Sequence, residues 1–398
     1  MFLPASDLAL AWRGGLCALV MLAIVLSVPC GLRAQRRDTW KNVAPNGRFP
    51  QTIGCGYFWG PETGLIGAGV RPATYVDPNT GANRIIQGTP VAIYRTTDGG
   101  STWNTTTIPK QLLGAVSSIS MIDSLVGYAS LFSDEEFEYD RTWGASAIWK
   151  TTDGGRSWFD SLHVDHEASC VYAQRGLLLY TKWDKAYTSL RTPPVDDSGG
   201  AYSFDDGRTW QTAFRRGNGI DFADSLHGVI SEMNNPANCF WRTSDAGRTW
   251  RATMDQYESW SVHAVKGTST YLCSNESQVM YPHSSINWST DGGATWSERA
   301  QLGTTRFTGT LNGVGPTLYL QTDTTPDNSY LHGIYRSTDL GATWSYVGGP
   351  ANSRDTRFVV TGCMGEVVYA FDGYGGVWKT TSGGDGALPP ASLLAFDR

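Results

Sequence analysis

The sequence predicts an all-β protein built from repeated units of similar size. One pattern recurs six times in the 398 residues: a hydroxyl residue, Asp two positions later, then Gly and finally Trp. Gly and aromatic residues are abundant, with 46 Gly, 16 Trp and 18 Tyr, and only 17% of the residues are charged. This composition is typical of half-buried strands joined by tight turns. A repeat with such a period determines the whole architecture of a chain.

Each copy of the repeat has the composition of a turn between two β-strands. Asp folds its carboxylate onto nearby backbone N–H groups, Gly takes the positive φ that such turns need, and Trp begins the next strand. Successive tryptophans are 40 to 55 residues apart, which suits one four-stranded sheet per copy. A structural role is therefore predicted for Asp98, Trp103, Asp153, Trp158, Asp205, Trp210, Asp245, Trp250, Asp291, Trp296, Asp339 and Trp344.

A second pattern precedes the turns and predicts the hairpin between the first two strands of a unit. It reads SMIDSLVGYAS from Ser120 and DFADSLHGVIS from Asp221, with an echo, FWGPETGLIGAG, from Phe58. A seventh, damaged copy of the turn begins at Thr380 and has Ser in place of Asp. Its missing strand is predicted near the N-terminus, where Trp40 begins a stretch like those that follow the other turns. Such a strand would close the array and remove its free edge.

The repeated turn resembles the Asp-box, or BNR repeat, of sialidases and related β-propellers. This resemblance implies a seven-bladed β-propeller in which each Asp-box joins the third and fourth strands of a blade and is structural. The D-S-L-x-G hairpin followed by a TTDGG turn is also similar to the Ycf48/HCF136 family of photosystem II assembly factors and to sortilin-type propellers, which dock proteins. The resemblance covers nearly the whole chain after its first segment and implies the fold, but not a ligand.

Both ends of the chain are predicted to lie outside the propeller. A basic flank, a short apolar run and Ala34 have the order of a secretory signal, so residues 1–34 are predicted to be a signal peptide cut near Ala34. An uncleaved anchor and lipid attachment at Cys30 are the alternatives. The propeller is predicted over 35–386 and a Pro-rich tail over 387–398. The protein is expected to be secreted or periplasmic, with no membrane insertion after signal removal.

Composition and spacing argue against several classes of site. The net charge of −6 disfavours nucleic acid, which requires basic patches. One carboxylate per turn is too few for calcium, and the absence of a CxxC pair disfavours zinc, so no cofactor or metal is predicted. An odd number of cysteines follows the signal, with no pairing assignable from the sequence: Cys55, Cys170, Cys239, Cys273 and Cys363.

The candidate binding surface is the face opposite the turns, where the longest loops are predicted to gather. Loops on a rigid scaffold commonly carry binding sites, and these loops are rich in aromatic residues and carboxylates that suit a protein or a glycan. A monomer is expected. The candidate residues are Tyr75, Glu135, Glu138, Tyr139, Trp143, Trp183, Asp184, Tyr187, Tyr330 and His332.

The alternative function is a sialidase-type exo-glycoside hydrolase. Resemblance to sialidases implies three arginines that clamp the substrate carboxylate, and a tyrosine nucleophile activated by a glutamate. None of the available residues lies in a matching motif, so the sequence favours a non-catalytic binding propeller. The residues for the alternative are Arg216, Arg306, Arg357, Tyr257 and Glu258.

Overall fold

The computed structural model consists of β-strands, apart from one 3₁₀ turn at Pro45–Gly47, over the residues that it describes. The described residues all belong to one compact unit, Asp38–Arg398. They are 40–70, 73–76, 83–86, 88–133, 146–164, 168–182, 200–212, 219–231, 239–254, 259–276, 284–301, 311–322, 333–348, 358–372 and 374–384.

Thirty strands are present in the described residues. In chain order they are β1 (Lys41–Asn42), β2 (Ile53–Phe58), β3 (Gly64–Ala68), β4 (Ala73–Val76), β5 (Asn83–Ile86), β6 (Ala92–Thr96), β7 (Asn104–Thr105), β8 (Gly114–Met121), β9 (Gly127–Ser133), β10 (Ser146–Thr151), β11 (Phe159–Val164), β12 (Ala168–Gln174), β13 (Leu177–Lys182), β14 (Gly200–Ser203), β15 (Gln211–Thr212), β16 (Gly219–Phe222), β17 (Gly228–Ser231), β18 (Cys239–Thr243), β19 (Arg251–Met254), β20 (Ser259–Ala264), β21 (Tyr271–Glu276), β22 (Ser284–Ser289), β23 (Ser297–Gln301), β24 (Asn312–Val314), β25 (Thr317–Thr322), β26 (Gly333–Ser337), β27 (Ser345–Gly348), β28 (Phe358–Met364), β29 (Val367–Asp372) and β30 (Val377–Thr380).

These strands form seven four-stranded antiparallel sheets, and the protein is a seven-bladed β-propeller. The first strands of neighbouring sheets pack against one another, so they are the innermost strands. The remaining two strands, β4 and β5, form a hairpin inserted between the second and third strands of blade 1. Blades 1 to 7 are β2-β3-β6-β7, β8-β9-β10-β11, β12-β13-β14-β15, β16-β17-β18-β19, β20-β21-β22-β23, β24-β25-β26-β27 and β28-β29-β30-β1.

The ring closes through the N-terminal strand, as the sequence predicts. In β1, Lys41 pairs with Lys379 and Asn42 pairs with Trp378 of β30, which makes β1 the outermost strand of blade 7. The preceding Trp40 is buried and its indole N–H donates to the carbonyl of Val347 in blade 6, at 3.2 Å. The edge of the last blade is therefore covered by chain from the other end of the protein.

Seven hydrophobic clusters hold the blades together, one between each pair of neighbours. The cluster between blades 7 and 1 shows that the ring has no open end. There the ring of Phe58 stacks on that of Tyr369 at 3.8 Å between centroids, and the Tyr369 hydroxyl donates to the carbonyl of Pro61 at 2.8 Å.

Six turns, which we call the aspartate turns, join the third and fourth strands of blades 1 to 6. In each, the hydroxyl two residues before Asp donates to its carboxylate at 2.7–2.9 Å. The backbone N–H four residues after Asp also donates to the carboxylate, at 2.8–3.0 Å. The hydroxyl of that same residue donates to the second carboxylate oxygen at 2.6–2.7 Å. The aspartate thus satisfies donors that the seven-residue connection between the two strands would otherwise leave unpaired.

The aspartate turns lie on the same face as the hairpins that join the first and second strands of each blade. In blade 2, the N–H of Gly154 donates to the carbonyl of Leu125 in such a hairpin, at 2.8 Å. Equivalent bonds occur in blades 1, 4, 5, 6 and 7. We call this the turn face, and its hairpins and turns fall within the described residues.

Candidate functional site

Seven equivalent positions on the innermost strands form a ring near the turn face, the axial ring. Strand register defines it: in each blade, one innermost residue pairs, through the second strand, with the residue two before the turn aspartate or its Ser382 equivalent. The axial ring consists of seven residues, one from each blade, and each lies immediately before this paired residue on the innermost strand. Its members are Tyr57, Ser120, Tyr172, Asp221, His263, Asn312 and Gly362.

Several ring side chains tie their innermost strand to that of the next blade. The Tyr57 hydroxyl donates to the carbonyl of Met121 at 3.3 Å. Ser120 Oγ accepts the N–H of Ala173 at 3.0 Å. Asn312 Nδ2 donates to the carbonyl of Val360 at 2.6 Å. These bonds give the ring a structural role in holding the innermost strands together.

Burial and the charge of Asp221 act in the same direction on the pKa of two tyrosines of the ring. Burial raises the pKa of the Tyr57 hydroxyl, and the Asp221 carboxylate raises it further. The pKa of Tyr172 is raised by burial first, then by Asp221 and by Tyr57. These residues belong to blades 1, 3 and 4, and blades 1 and 4 are not neighbours. All three residues lie on innermost strands, which pack against one another around the propeller axis.

Asp221 carries the one carboxylate among the seven ring positions, and it is held by several donors. Its Oδ2 accepts the backbone N–H of Ala264 in the next blade at 2.8 Å. Its Oδ1 accepts from the ammonium of Lys266, which also donates to the carbonyl of Phe222 at 2.7 Å. The Lys266 side chain is 63% exposed and that of Asp221 17% exposed. The ion pair therefore lies at the turn-face end of the ring, with the lysine outermost.

His263 is a buried member of the axial ring, with 7% of its surface exposed. Its Nδ1 lies 3.9 Å from Asp221 Oδ2, and its Nε2 is buried without a hydrogen-bond partner. Burial lowers the pKa of the imidazole; Asp221 opposes this effect and Lys266 adds to it. The imidazole of His263 is therefore neutral at neutral pH. We refer to Tyr57, Tyr172, Asp221, His263 and Lys266 together as the axial cluster.

Two thiols lie two positions before ring residues on their own strands. Desolvation raises the pKa of Cys55 to about 12 and that of Cys170 to about 11. Both carry free thiols, and Ser118 Oγ lies 3.8 Å from Cys170 Sγ. A thiol with a raised pKa stays protonated and is a poor nucleophile. Of the other cysteines, Cys273 is buried, and the side chains of Cys239 and Cys363 lie outside the described part of the chain.

The sequence-predicted binding residues fall almost entirely outside the described residues. Tyr75 lies on β4, where its backbone pairs with that of Arg84. The other nine candidates, Glu135, Glu138, Tyr139, Trp143, Trp183, Asp184, Tyr187, Tyr330 and His332, lie outside the described ranges. The residues of the sialidase alternative, Arg216, Arg306, Arg357, Tyr257 and Glu258, lie outside them as well. Both sets stay predictions.

The axial ring was missed at the sequence level, although the sequence contains a signal for it. Ser120, Asp221 and Tyr57 occupy one position of the repeated hairpin pattern, immediately before its apolar residue. In the described ranges, no group of three or more His, Cys, Asp or Glu side chains could hold a metal ion. No helix there is both long enough and apolar enough to cross a membrane.

No protein-family model and no curated protein sequence matches this chain. Solved structures do match. YCF48 bound to a D1 peptide is 13% identical with a TM-score of 0.55, over 88% of this chain and 99% of that one. YCF48 from Cyanidioschyzon merolae is 12% identical with a TM-score of 0.54, over 86% and 98%. The GH74 xyloglucanase from Xanthomonas campestris is 14% identical with a TM-score of 0.58, over 89% of this chain and 55% of that one. At such identities the likeness is one of fold, and the fold that this chain shares with them is the β-propeller.

Proposed function

We propose that this protein is an exported, non-catalytic propeller that binds a protein partner. The observation that carries the proposal is the chemistry of the axial cluster, which offers hydrogen-bonding groups rather than a reactive pair. Asp221, the one carboxylate of the ring, is committed to the backbone N–H of Ala264 and to Lys266. A glycosidase of the usual type needs two carboxyl groups facing each other across the substrate. The protonated thiols of Cys55 and Cys170 add no nucleophile.

The turn face supports a protein partner over a glycan. Leu125, Leu226 and Val314 are exposed there by 53%, 47% and 51%. Leu125 and Leu226 lie at the tips of equivalent hairpins, where Asp123 Oδ1 and Asp224 Oδ1 accept their backbone N–H groups at 2.8 and 2.7 Å. An exposed apolar side chain at a hairpin tip can contact apolar residues of a protein partner, and the turn that fixes its backbone limits the entropy lost on binding.

Two further observations support parts of the proposal. YCF48, a protein of the same fold, has been solved bound to a D1 peptide, which supports a propeller that binds a protein segment. The apolar segment before Ala34 supports export. The predicted long-loop residues, such as Glu138 and Trp183, belong to the proposal as a second contact surface on the opposite face.

The test is to assay the purified protein for turnover and for binding. Neither a fluorogenic sialoside nor xyloglucan should yield more than one equivalent of product per protein molecule. The same preparation should show saturable binding on a peptide array. Sialoside turnover that is lost in Arg306→Ala or Arg357→Ala, but kept in the control Arg251→Ala on β19, would replace the proposal with the sialidase alternative. Saturable binding on a glycan array alone would change the class of partner.

A further inference from the structure

The atoms that the axial cluster leaves available for a ligand are hydrogen-bond acceptors. The Tyr57 hydroxyl uses its proton on the carbonyl of Met121, and the Tyr172 hydroxyl uses its own on Gln174 Oε1 at 3.4 Å. Each oxygen keeps lone pairs that can accept. The Asp221 carboxylate is an acceptor only. A ligand that satisfies this set must be rich in donors.

His263 adds a fourth acceptor. With Nδ1 at 3.9 Å from a carboxylate oxygen, the tautomer with its proton on Nδ1 is favoured, because a bare Nδ1 lone pair would face negative charge. Nε2 is then a bare acceptor, and it is buried without a partner. An unsatisfied buried nitrogen is unfavourable, so a donor that reaches it is favoured.

Lys266 shows which kind of donor the cluster holds. Its ammonium comes from a mostly exposed side chain in the hairpin between β20 and β21, and it donates to Asp221 Oδ1 and to the carbonyl of Phe222. It is also close enough to His263 to lower the pKa of the imidazole. Lys266 therefore covers the Asp221–His263 pair from the turn face and occupies a cation position there.

Aromatic rings on the turn-face side fit the same chemistry. Trp59 follows β2 in the first hairpin of blade 1, and its ring lies 6.4 Å from that of Tyr57. Both residues are only partly buried. The faces of Trp and Tyr attract ammonium and guanidinium groups within about 6 Å of the ring centroid.

We propose that the axial cluster is a binding site for a cationic side chain, arginine or lysine, carried by the protein partner. This inference rests on the proposed function and gives its turn-face site a ligand chemistry. In the unbound protein Lys266 occupies the site from within. The partner's cation displaces it and donates to Asp221, to His263 Nε2 and to the tyrosine hydroxyls. Leu125 and Leu226 lie on the same face for contact with the apolar residues beside that cation.

The experiment vacates the site and offers it a small cation. Nα-acetyl-arginine amide is titrated by calorimetry into the wild-type protein, Lys266→Met and the double variant Asp221→Asn/Lys266→Met. The neutral isostere Nα-acetyl-citrulline amide is titrated alongside. Lys266→Met should bind the arginine probe at least tenfold more tightly than the wild type does, and at least tenfold more tightly than it binds the citrulline probe. The double variant should lose that gain.

Lys379→Met is the matched control. Lys379 Nζ lies 3.6 Å from Glu62 Oε1, so this variant also removes a lysine from a carboxylate, but away from the axial ring. It should gain no affinity for the arginine probe. Equal binding of both probes to Lys266→Met, or an equal gain in Lys379→Met, would overturn the proposal. If Lys266→Met does not fold, Lys266→Ala, which also removes the ammonium from Asp221, provides the same comparison. Failure here leaves the proposed function intact, because that function is tested by turnover and array binding of the wild type.

Discussion

In blades 1 to 6 a short turn joins the third strand to the fourth, whereas in blade 7 the fourth strand comes from a distant part of the chain. In blade 5, Asp291 accepts four hydrogen bonds from residues within four positions of it along the chain. In blade 7 the equivalent residue is Ser382, whose hydroxyl lies 3.3 Å from that of Thr380, so this position carries a hydroxyl in place of the carboxylate. The fourth strand comes instead from Lys41–Asn42, at the other end of the described chain.

The difference separates local from non-local stabilisation. An aspartate turn forms within eight residues, so little chain entropy is lost when it closes. The turn of blade 7 lacks the carboxylate and keeps only the two backbone N–H groups of Ser382 and Gly384 that donate to the Thr380 hydroxyl, both at 3.3 Å. Its fourth strand relies on contacts from the N-terminal segment. The N–H of Val43 donates to the carbonyl of Val377, and that of Phe49 donates to the carbonyl of Gly375, both at 2.7 Å. The propeller is therefore expected to be most sensitive to change where its two ends meet.

The largest expected effect is that of Trp40→Ala. The side chain is 5% exposed and packs between blades 6 and 7, and its indole donates to Val347. Truncating a buried Trp costs about 3–5 kcal/mol, because contacts are lost and a cavity remains. Urea unfolding followed by tryptophan fluorescence should show a midpoint well below that of the wild type.

Trp344→Ala is the matched control for this substitution. Trp344 is only partly buried, and its indole donates within its own turn, to the carbonyl of Gly341 at 3.0 Å. Its removal should cost roughly half as much as that of Trp40, or less, because less surface is lost from the interior. Equal costs for the two substitutions would show that closure is no more critical than any other blade contact.

A smaller effect is expected from Asp291→Ala, compared with Ser382→Ala at the equivalent position of blade 7. Removing the carboxylate leaves the backbone N–H groups of Ala294 and Thr295 without their acceptor, and helix caps of similar chemistry are worth about 1–2 kcal/mol. Ser382→Ala removes one long hydroxyl contact and should cost about 0.5 kcal/mol or less. Unfolding free energies at pH 6 measure both.

The stability difference between the wild type and Asp291→Ala is predicted to depend on pH, and that between the wild type and Ser382→Ala is not. Desolvation raises the pKa of Asp291, but hydrogen bonds from Thr295 and Ser289 outweigh it and lower the pKa from 3.8 to about 2. A carboxylate whose pKa is lower in the fold contributes stability that is complete above pH 3.8 and is lost as the pH falls through about 2. The gap between the wild type and Asp291→Ala should therefore narrow across that window, whereas Ser382→Ala should track the wild type. A gap that stays constant down to pH 2 would contradict this account of the turn.

The repeat made the fold predictable, but the axial cluster requires coordinates. The spacing of the six tryptophans predicts the sheets, and the stretch at Trp40 predicts the closing strand, because each depends on local sequence. The ring depends on register, and bulges shift the register within five innermost strands, at 53/55, 116/118, 168/170, 259/261 and 360/362. The contact of Lys266 with Asp221 joins two blades through tertiary packing, which no spacing in the sequence specifies. The long-loop candidates stay predictions.

The smallest effect on stability is expected from substitutions at the residue after the aspartate, where the six aspartate turns differ from one another. The residue after the aspartate has φ near +60° to +75° in all six, and three blades place a non-glycine residue there: Asp206, Ala246 and Leu340. For an L-residue this conformation costs about 1–2 kcal/mol, whereas glycine adopts it freely but loses about 0.4–1 kcal/mol more chain entropy on folding. Ala246→Gly should therefore stabilise the protein by about 0.5 kcal/mol. Gly292→Ala is the reverse change at the same position of blade 5, where an added Cβ meets no atom within 4 Å, so it should destabilise by a similar amount. Chemical denaturation of both variants measures the two shifts, and shifts of the same sign would show that backbone strain does not control this position.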